Sequence, residues 1–258
     1  MITAASNSRI KRLVQLNQKS KLRRTEDVFL AEGVKMFLEA PREQLQEVYV
    51  SESFLEKCSC REHLEEVGYE VVSDSVFSKI SDTCTPQGVL CVLKQFHYNI
   101  EEMLRDKAPL FLLLENIQDP GNLGTMLRTG EGAGVSGIIM SRDTVDLYNP
   151  KVIRSTMGSI YRVPFYYADD FAAAVHQVQR AGVSVYAAHL RGKNSYACQD
   201  YTKGTAFLIG NEGNGLREET AELADCYIRI TMEGKVESLN AAVASSILMY
   251  EAHRQRAI

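Results

Sequence analysis

The sequence lacks several features that would assign it elsewhere. No apolar run approaches the roughly 20 residues that a membrane span requires. The opening stretch MITAASNSRIKRLVQ has no apolar core of the kind a secretory signal carries, so a cytoplasmic protein is expected. Six cysteines (Cys58, Cys60, Cys84, Cys91, Cys198 and Cys226) form no C-x-x-C pair and are too sparse for a disulfide scaffold. Reduced structural thiols and no metal site are therefore expected. Internal repeats and Pro/Ser/Gln-rich tracts are missing, and with 45% hydrophobic and 24% charged residues the chain belongs with ordinary globular proteins. A positive excess is lacking as well. The formal charge of −4 excludes a protein that coats nucleic acid through its overall charge.

What is present is local. Between Arg9 and Arg24 the chain carries Arg9, Lys11, Arg12, Lys19, Lys21, Arg23 and Arg24 with no acidic residue among them. Such a block can hold phosphates despite an acidic whole, and it can equally be the solvated face of a helix. The chain's 258 residues exceed the usual domain of about 100–150, so two units are expected, 1–105 and 106–258, divided in the charged stretch HYNIEEMLRDKA.

The first unit reads as a small α/β domain. SNSRIKRLVQLNQ has apolar residues at helical spacing behind a Ser6 or Asn7 cap. VFLAEG, LQEVYVSES, YEVVSDSV and GVLCVLKQF read as strands, and FLEKCSCREHLEEVG as one amphipathic helix stopped by Gly68. In the second unit PLFLLLENI is a continuous apolar run, as in a strand buried on both faces of a parallel sheet. SGIIMS, VSVYAAHL, TAFLIG and CYIRITM follow. NLGTMLRTGEGAG, PKVIRSTMGSIYRV, DDFAAAVHQVQRAG and REETAELA read as helices around them, which predicts a doubly wound parallel sheet.

GAGVSG, Gly132 to Gly137, satisfies the dinucleotide-binding glycine pattern but closes a helix and precedes a strand. That order is the reverse of what pyrophosphate binding needs, so it reads as a helix stop and a nicotinamide-dependent enzyme is disfavoured. Three other junctions lie beyond strand ends, where open α/β sheets bind ligands. ENIQDPGNLGTMLRT carries Asn122 near a helix start and Arg128 in the same helix. LIGNEGNGL sets Glu212 among glycines that allow close backbone approach, and ITMEGKVESLNAAVA joins a strand to the last helix through Ser238-Leu239-Asn240. Taken singly, each has an ordinary explanation as a cap, a surface loop or a small-residue packing helix.

In order and spacing, NLGTMLRTGEGAG, LIGNEGNGL and MEGKVESLNAAVASSILMYE resemble the three motifs of the SpoU (TrmH-like) family of RNA ribose methyltransferases, in the SPOUT superfamily. The first unit resembles the L30e-like RNA-binding domain often fused to such enzymes, through NSRIKRLVQLNQKSKLRRTEDVFLAEG and TPQGVLCV. The resemblance implies an α/β fold with a C-terminal parallel sheet tied in a deep trefoil knot, a smaller N-terminal α/β domain, and a homodimer built across the knotted region. It implies S-adenosylmethionine as methyl donor and a ribose 2′-hydroxyl of structured RNA, ribosomal rather than transfer RNA, as acceptor. Arg128, Asn122, Glu212, Ser238 and Asn240 are then the catalytic set. Leu208, Ile209, Gly210, Asn211, Gly213, Ile230, Met232, Ser238 and Leu239 form the donor site, and the basic block from Arg9 to Arg24 becomes an RNA anchor.

A ribose hydroxyl is weakly acidic, so a base or an electrostatic stabiliser must stand beside it. The family view makes Arg128 the base. A guanidinium with a pKa above ~12 suits a charge role better, and both roles stay open. The competing alternatives are a transfer-RNA methyltransferase and a non-catalytic RNA-binding or ribosome-assembly protein that keeps the fold.

Overall fold

In the computed structural model, which describes residues 1–236 and 238–257, the chain divides into two compact units. One comprises Met1–Phe96 with Asp146–Tyr161, the other His97–Val145 with Arg162–Ile258. A single division near residue 105 does not provide for the segment 146–161, which lies in the second half of the sequence and belongs to the first unit.

The first unit opens with α1 (Ser8–Gln18), whose first turn is capped by the Asn7 side chain accepting the Arg9 N–H at 2.9 Å. Ile10, Leu13 and Leu16 recur at helical spacing and are buried. The chain continues through α2 (Ser20–Glu26), β1 (Val28–Glu32), α3 (Val34–Leu38), β2 (Leu45–Ser51), α4 (Glu52–Lys57), α5 (Arg61–Val67), β3 (Glu70–Val72), α6 (Asp74–Ile80) and β4 (Val89–Lys94). The sheet order is β1-β4-β2-β3, antiparallel except for the β2–β3 pair. Its core joins the α1 leucines to Val76, Phe77, Leu90 and Val92.

Two expectations are corrected here. The single helix read from FLEKCSCREHLEEVG is two, because Cys58 adopts extended backbone (φ −71°, ψ 136°) between α4 and α5. YEVVSDSV is not strand throughout, since extended Ser73 starts α6 immediately after β3.

The second unit runs through α7 (Ile100–Met103), β5 (Leu110–Leu114), α8 (Pro120–Ala133) and β6 (Gly137–Ser141). After α9 (Pro150–Thr156), which packs on β1 in the first unit, come β7 (Phe165–Ala168), α10 (Phe171–Arg180), β8 (Ser184–Ala188), β9 (Asn194–Ser195), β10 (Thr205–Ile209), α11 (Glu218–Ala221), β11 (Cys226–Arg229) and α12 (Ala241–Arg256). The seven strands are all parallel, in the order β7-β6-β5-β10-β8-β11-β9.

Strands β5, β6 and β10 are buried along their whole length, as their apolar runs require. Sequence reading missed β7, whose FYYA is half-buried at an edge, and the two-residue β9. Gly134, left-handed at φ 77°, ends α8 with its N–H bonded to the Gly130 and Glu131 carbonyls, which fixes GAGVSG as a helix stop. From β11 near one edge the chain returns to the middle of the sheet, where α12 packs on α8, β10 and β5. Among the described residues no helix is long and apolar enough to cross a membrane, and no cluster of His, Cys, Asp or Glu could hold a metal.

Candidate active site

Three chain junctions meet at the carboxyl ends of β5, β10 and β11. The cap of α8 is Asp119, whose carboxylate accepts the Asn122 N–H at 2.7 Å, with Pro120 at the first helical position. That leaves the Asn122 side chain free to work sideways. Its amide NH2 donates to Glu212 Oε1 at 3.0 Å, and its Oδ1 accepts from the Asn240 amide at 2.9 Å. Asn240 also caps α12, accepting the Ala242 and Val243 N–H groups at 2.9 and 3.2 Å. One continuous chain of hydrogen bonds, Asn240–Asn122–Glu212, thus ties together loops 118 and 90 residues apart in sequence.

Glu212 gains further donors from the N–H groups of Gln118 (3.1 Å) and Asp119 (3.0 Å) at the mouth of α8. Burial alone would raise its pKa. The three hydrogen bonds outweigh burial and hold it below the ordinary glutamate value, so it is a carboxylate at neutral pH.

The loop after β10 is equally constrained. Asn211 donates to the Asn116 carbonyl at 2.8 Å, exchanges backbone hydrogen bonds with Gly215 at 3.0 and 2.9 Å, and accepts the Gly213 and Asn214 N–H groups. A Cβ on Gly210 would stand 2.2 Å from the backbone of Gly215 and Leu216, so only glycine permits this closure.

The loops enclose a cavity of about 280 Å³ lined by Ile209, Gly210, Asn211, Gly213, Ile230, Met232, Ser238 and Leu239 among others. This is close to the lower bound of about 300 Å³ for small-molecule clefts. Of the residues expected around the donor, Leu208 is the exception: it is wholly buried in the sheet core with Phe111, Leu113 and Val185 and does not line this cavity. Strand alternation explains the correction, because Leu208 and Ile209 point to opposite faces. Sequence reading missed the strip Ala188-His189-Leu190 at the end of β8, which lines the same cavity. An adjoining cavity of about 820 Å³ is bordered by Gln118, Asp119, Pro120 and Asn122, and shares Asn211, Glu212, Gly213, Ser238 and Leu239 with the first.

Arg128 lines neither cavity. Six residues at 100° each turn it about 120° around α8 from Asn122 and about 9 Å along the axis. It is exposed, and it makes no hydrogen bond or ion pair among the described residues. Within one copy of the chain it therefore stands apart from Asn122.

The basic block is only partly available. Arg23 is 3% exposed and bound to the Leu16 and Asn17 carbonyls and to Asp146 at 2.5 Å. Removing one partner of a buried pair costs about 3–5 kcal/mol, whereas an exposed ion pair returns about 0–1 kcal/mol, so Arg23 is a structural residue and not an RNA contact. Arg12 is engaged by Glu26 and Glu47, each at 2.7 Å, and Arg9 by Glu70 in an exposed pair at 3.0 Å. The neutralising acids come from β2, β3 and the end of α2, outside the block itself. Lys11, Lys19, Lys21 and Arg24 remain exposed.

Residues 109–250 match the SpoU rRNA Methylase family and residues 7–91 the MRM3-like substrate binding domain. The chain belongs to the SpoU methylase family. It is 32% identical over 252 residues to the 23S rRNA (guanosine(2553)-2′-O)-methyltransferase RlmP of Bacillus subtilis, covering 96% of this chain and 97% of that one. It is 32% identical over 222 residues to the 23S rRNA (guanosine-2′-O-)-methyltransferase RlmB of Bordetella pertussis, covering 83% and 91%. Among solved structures, the AdoMet-bound rRNA methyltransferase of Sinorhizobium meliloti superposes with a TM-score of 0.84 at 31% identity, covering 98% of this chain and 97% of that one. The SpoU methyltransferase AviRb of Streptomyces viridochromogenes in complex with AdoMet gives 0.88 at 26%, covering 97% and 98%.

Proposed function

We infer that the protein is an S-adenosylmethionine-dependent RNA methyltransferase that modifies a ribose 2′-hydroxyl of ribosomal RNA. The observation that carries this is the joining of three strand-end loops, through Asn240, Asn122 and Glu212, around one cavity in a chain that matches an rRNA 2′-O-methyltransferase over 96% of its length. The lining fits the donor. Apolar Ile209, Ile230, Met232 and Leu239 suit an adenine, and the glycine-rich backbone of 210–215 can meet its polar edges. When bound, S-adenosylmethionine supplies an electrophilic methyl group.

The residues of this chain bind, orient and stabilise. Glu212, held ionised, orders the first and second loops. Asn122 and Asn240 hold the third loop against them, and Ser238, shared by both cavities, faces the acceptor side. The wider cavity takes the target nucleotide. Arg128 is assigned to stabilise the oxyanion that forms as the hydroxyl passes its proton to water or to the adjacent phosphate, and to hold that phosphate. Since it lies on an exposed face of α8 beside α12, where Val243 and Tyr250 are 48% and 49% exposed, it is assigned to an active site assembled across a homodimer of these helices. Lys11, Lys19, Lys21 and Arg24 anchor RNA through its phosphates without reading bases. Acting on RNA, the enzyme is assigned to the cytoplasm.

Incubating the protein with methyl-labelled S-adenosylmethionine and separate pools of ribosomal and transfer RNA tests the proposal. Label is expected in ribosomal RNA as alkali-resistant 2′-O-methylated dinucleotides. Label in transfer RNA alone, or in bases, would overturn it.

A further inference from the structure

Glu115 closes β5 and is 2% exposed; no other acidic side chain is buried among the described residues. A carboxylate withdrawn from water is costly and is a poor source of stability even when paired, so its presence at a strand end calls for a geometric reason. Its two oxygens have distinct partners. Oε2 accepts the Arg217 backbone N–H at 2.8 Å, and Oε1 accepts the Thr220 hydroxyl at 2.5 Å. The Arg217 guanidinium lies 3.5 Å from Oε1 and is drawn outward by an ion pair with Asp143.

Arg217 directly follows Leu216, the last residue of the glycine-rich loop that lines the smaller cavity. The entry of that loop is already pinned by Asn211 on the Asn116 carbonyl, and its middle by Glu212 on the start of α8. Glu115 supplies the third pin, at the exit. All three anchor points lie on the same β5–α8 junction, and the two acids act reciprocally: Glu212 reaches from the loop to the junction, Glu115 from the junction to the loop.

We propose that Glu115 is a positioning residue of the methyltransferase site, which through Arg217 and Thr220 holds the loop Gly210–Leu216 in its donor-binding conformation before the donor arrives. This rests on the assignment of the smaller cavity to S-adenosylmethionine and deepens it. Backbone amides and carbonyls of a loop bind a ligand well only when their positions are fixed beforehand, because ordering the loop on binding subtracts from affinity. Glu115 itself touches no substrate. Its effect is expected on donor affinity, because the exit of the loop that it pins, Asn214 to Leu216, lines the smaller cavity and not the wider one.

The test is calorimetry with S-adenosylhomocysteine and steady-state kinetics on the full-length chain. Glu115→Gln keeps the volume but loses the charge and one acceptor. It is expected to raise the Kd for S-adenosylhomocysteine and the KM for S-adenosylmethionine about tenfold, the scale of one charge-assisted hydrogen bond. KM for RNA is expected to stay at the parent value. Thr220→Val removes the hydroxyl at similar size and should shift donor affinity in the same direction, whereas Thr220→Ser restores the donor hydroxyl and should return it to the parent value. Donor affinity equal to the parent's in Glu115→Gln and Thr220→Val, or an equal rise in the KM for RNA, overturns the proposal. Should Glu115→Gln fail to fold, the Thr220 pair decides alone. A parent protein that binds no S-adenosylhomocysteine overturns the cofactor assignment itself, whereas a parent that binds it with variants indistinguishable from it overturns only the role of Glu115.

Discussion

At the level of single residues, the chemistry turns on one charge that is held by donors and one that is left open. Glu212 is fully engaged by donors, while Arg128 has no partner among the described residues. A free planar guanidinium and a bound carboxylate have opposite uses: the first is kept for substrate, the second for architecture. Arg128→Lys is therefore expected to retain donor binding in calorimetry and to lose most turnover, at least about tenfold, because a point charge cannot make the two-pronged contact. Near-parental turnover would contradict a direct role.

His189, on the cavity wall, accepts the Arg191 N–H at Nδ1 (3.1 Å), so in the neutral ring the proton sits on Nε2. Burial first, and then the charge of Arg191, hold its pKa below the ordinary histidine value. With the folded pKa below the unfolded one, the unfolded chain takes up a proton first. The contribution of neutral His189 is thus complete above about pH 6.5 and is lost as pH falls toward the folded pKa. His189→Gln should flatten the decline of Tm over about pH 7 to 5; an unchanged slope would show that the ring does not titrate as its surroundings dictate.

At the level of elements, the glycine loop after β10 is the most sensitive. Gly210→Val sets side-chain atoms against the backbone of Gly215 and Leu216, so the loop must open. Calorimetric heat with S-adenosylhomocysteine is expected to vanish while circular dichroism keeps the helix and strand content of the parent; retained heat would show that the loop does not touch the donor. Much of this was legible beforehand. The apolar runs of β5, β6 and β10 announced a parallel sheet, and the three strand-end junctions carry residues that do converge.

What escaped had physical causes. Edge strand β7 alternates too weakly to stand out, and β9 is too short. Local charge counting could not foresee that Glu26, Glu47 and Asp146 would neutralise Arg12 and Arg23 from elsewhere in the fold. That Asn122 and Arg128 face different ways was open to helical spacing, since six residues turn by about 120°, and it was overlooked. Glu115 drew no attention, since an acid after an apolar strand looks like the first solvated residue of a loop. The expectation of a threaded chain came from family resemblance alone, as knots are nearly absent from folded proteins and periodicity carries no sign of them.

At the level of the whole molecule, an acidic protein is assigned an acidic substrate, so binding must rest on a few exposed cations. Replacing Lys11, Lys19, Lys21 and Arg24 together by Gln should weaken RNA binding without regard to sequence and lower the slope of log K against log salt by up to about 3, near 0.7 per phosphate contact for single strands. An unchanged slope would remove the first unit's basic patch from the interface. For the proposed homodimer, Tyr250→Glu puts a charge on the exposed face of α12 and is expected to give monomers in light scattering where the parent gives dimers, with activity falling in parallel. A monomeric, active parent would contradict an active site shared between two copies.

The most direct single measurement is a crystal structure of the protein with S-adenosylhomocysteine. Ligand density between the Gly210–Leu216 loop, the end of β11 and Ser238-Leu239, with Arg128 from either copy of the chain turned toward the acceptor side, is the predicted result. Ligand bound elsewhere, or an Arg128 guanidinium turned away from both cavities in every copy, would contradict it.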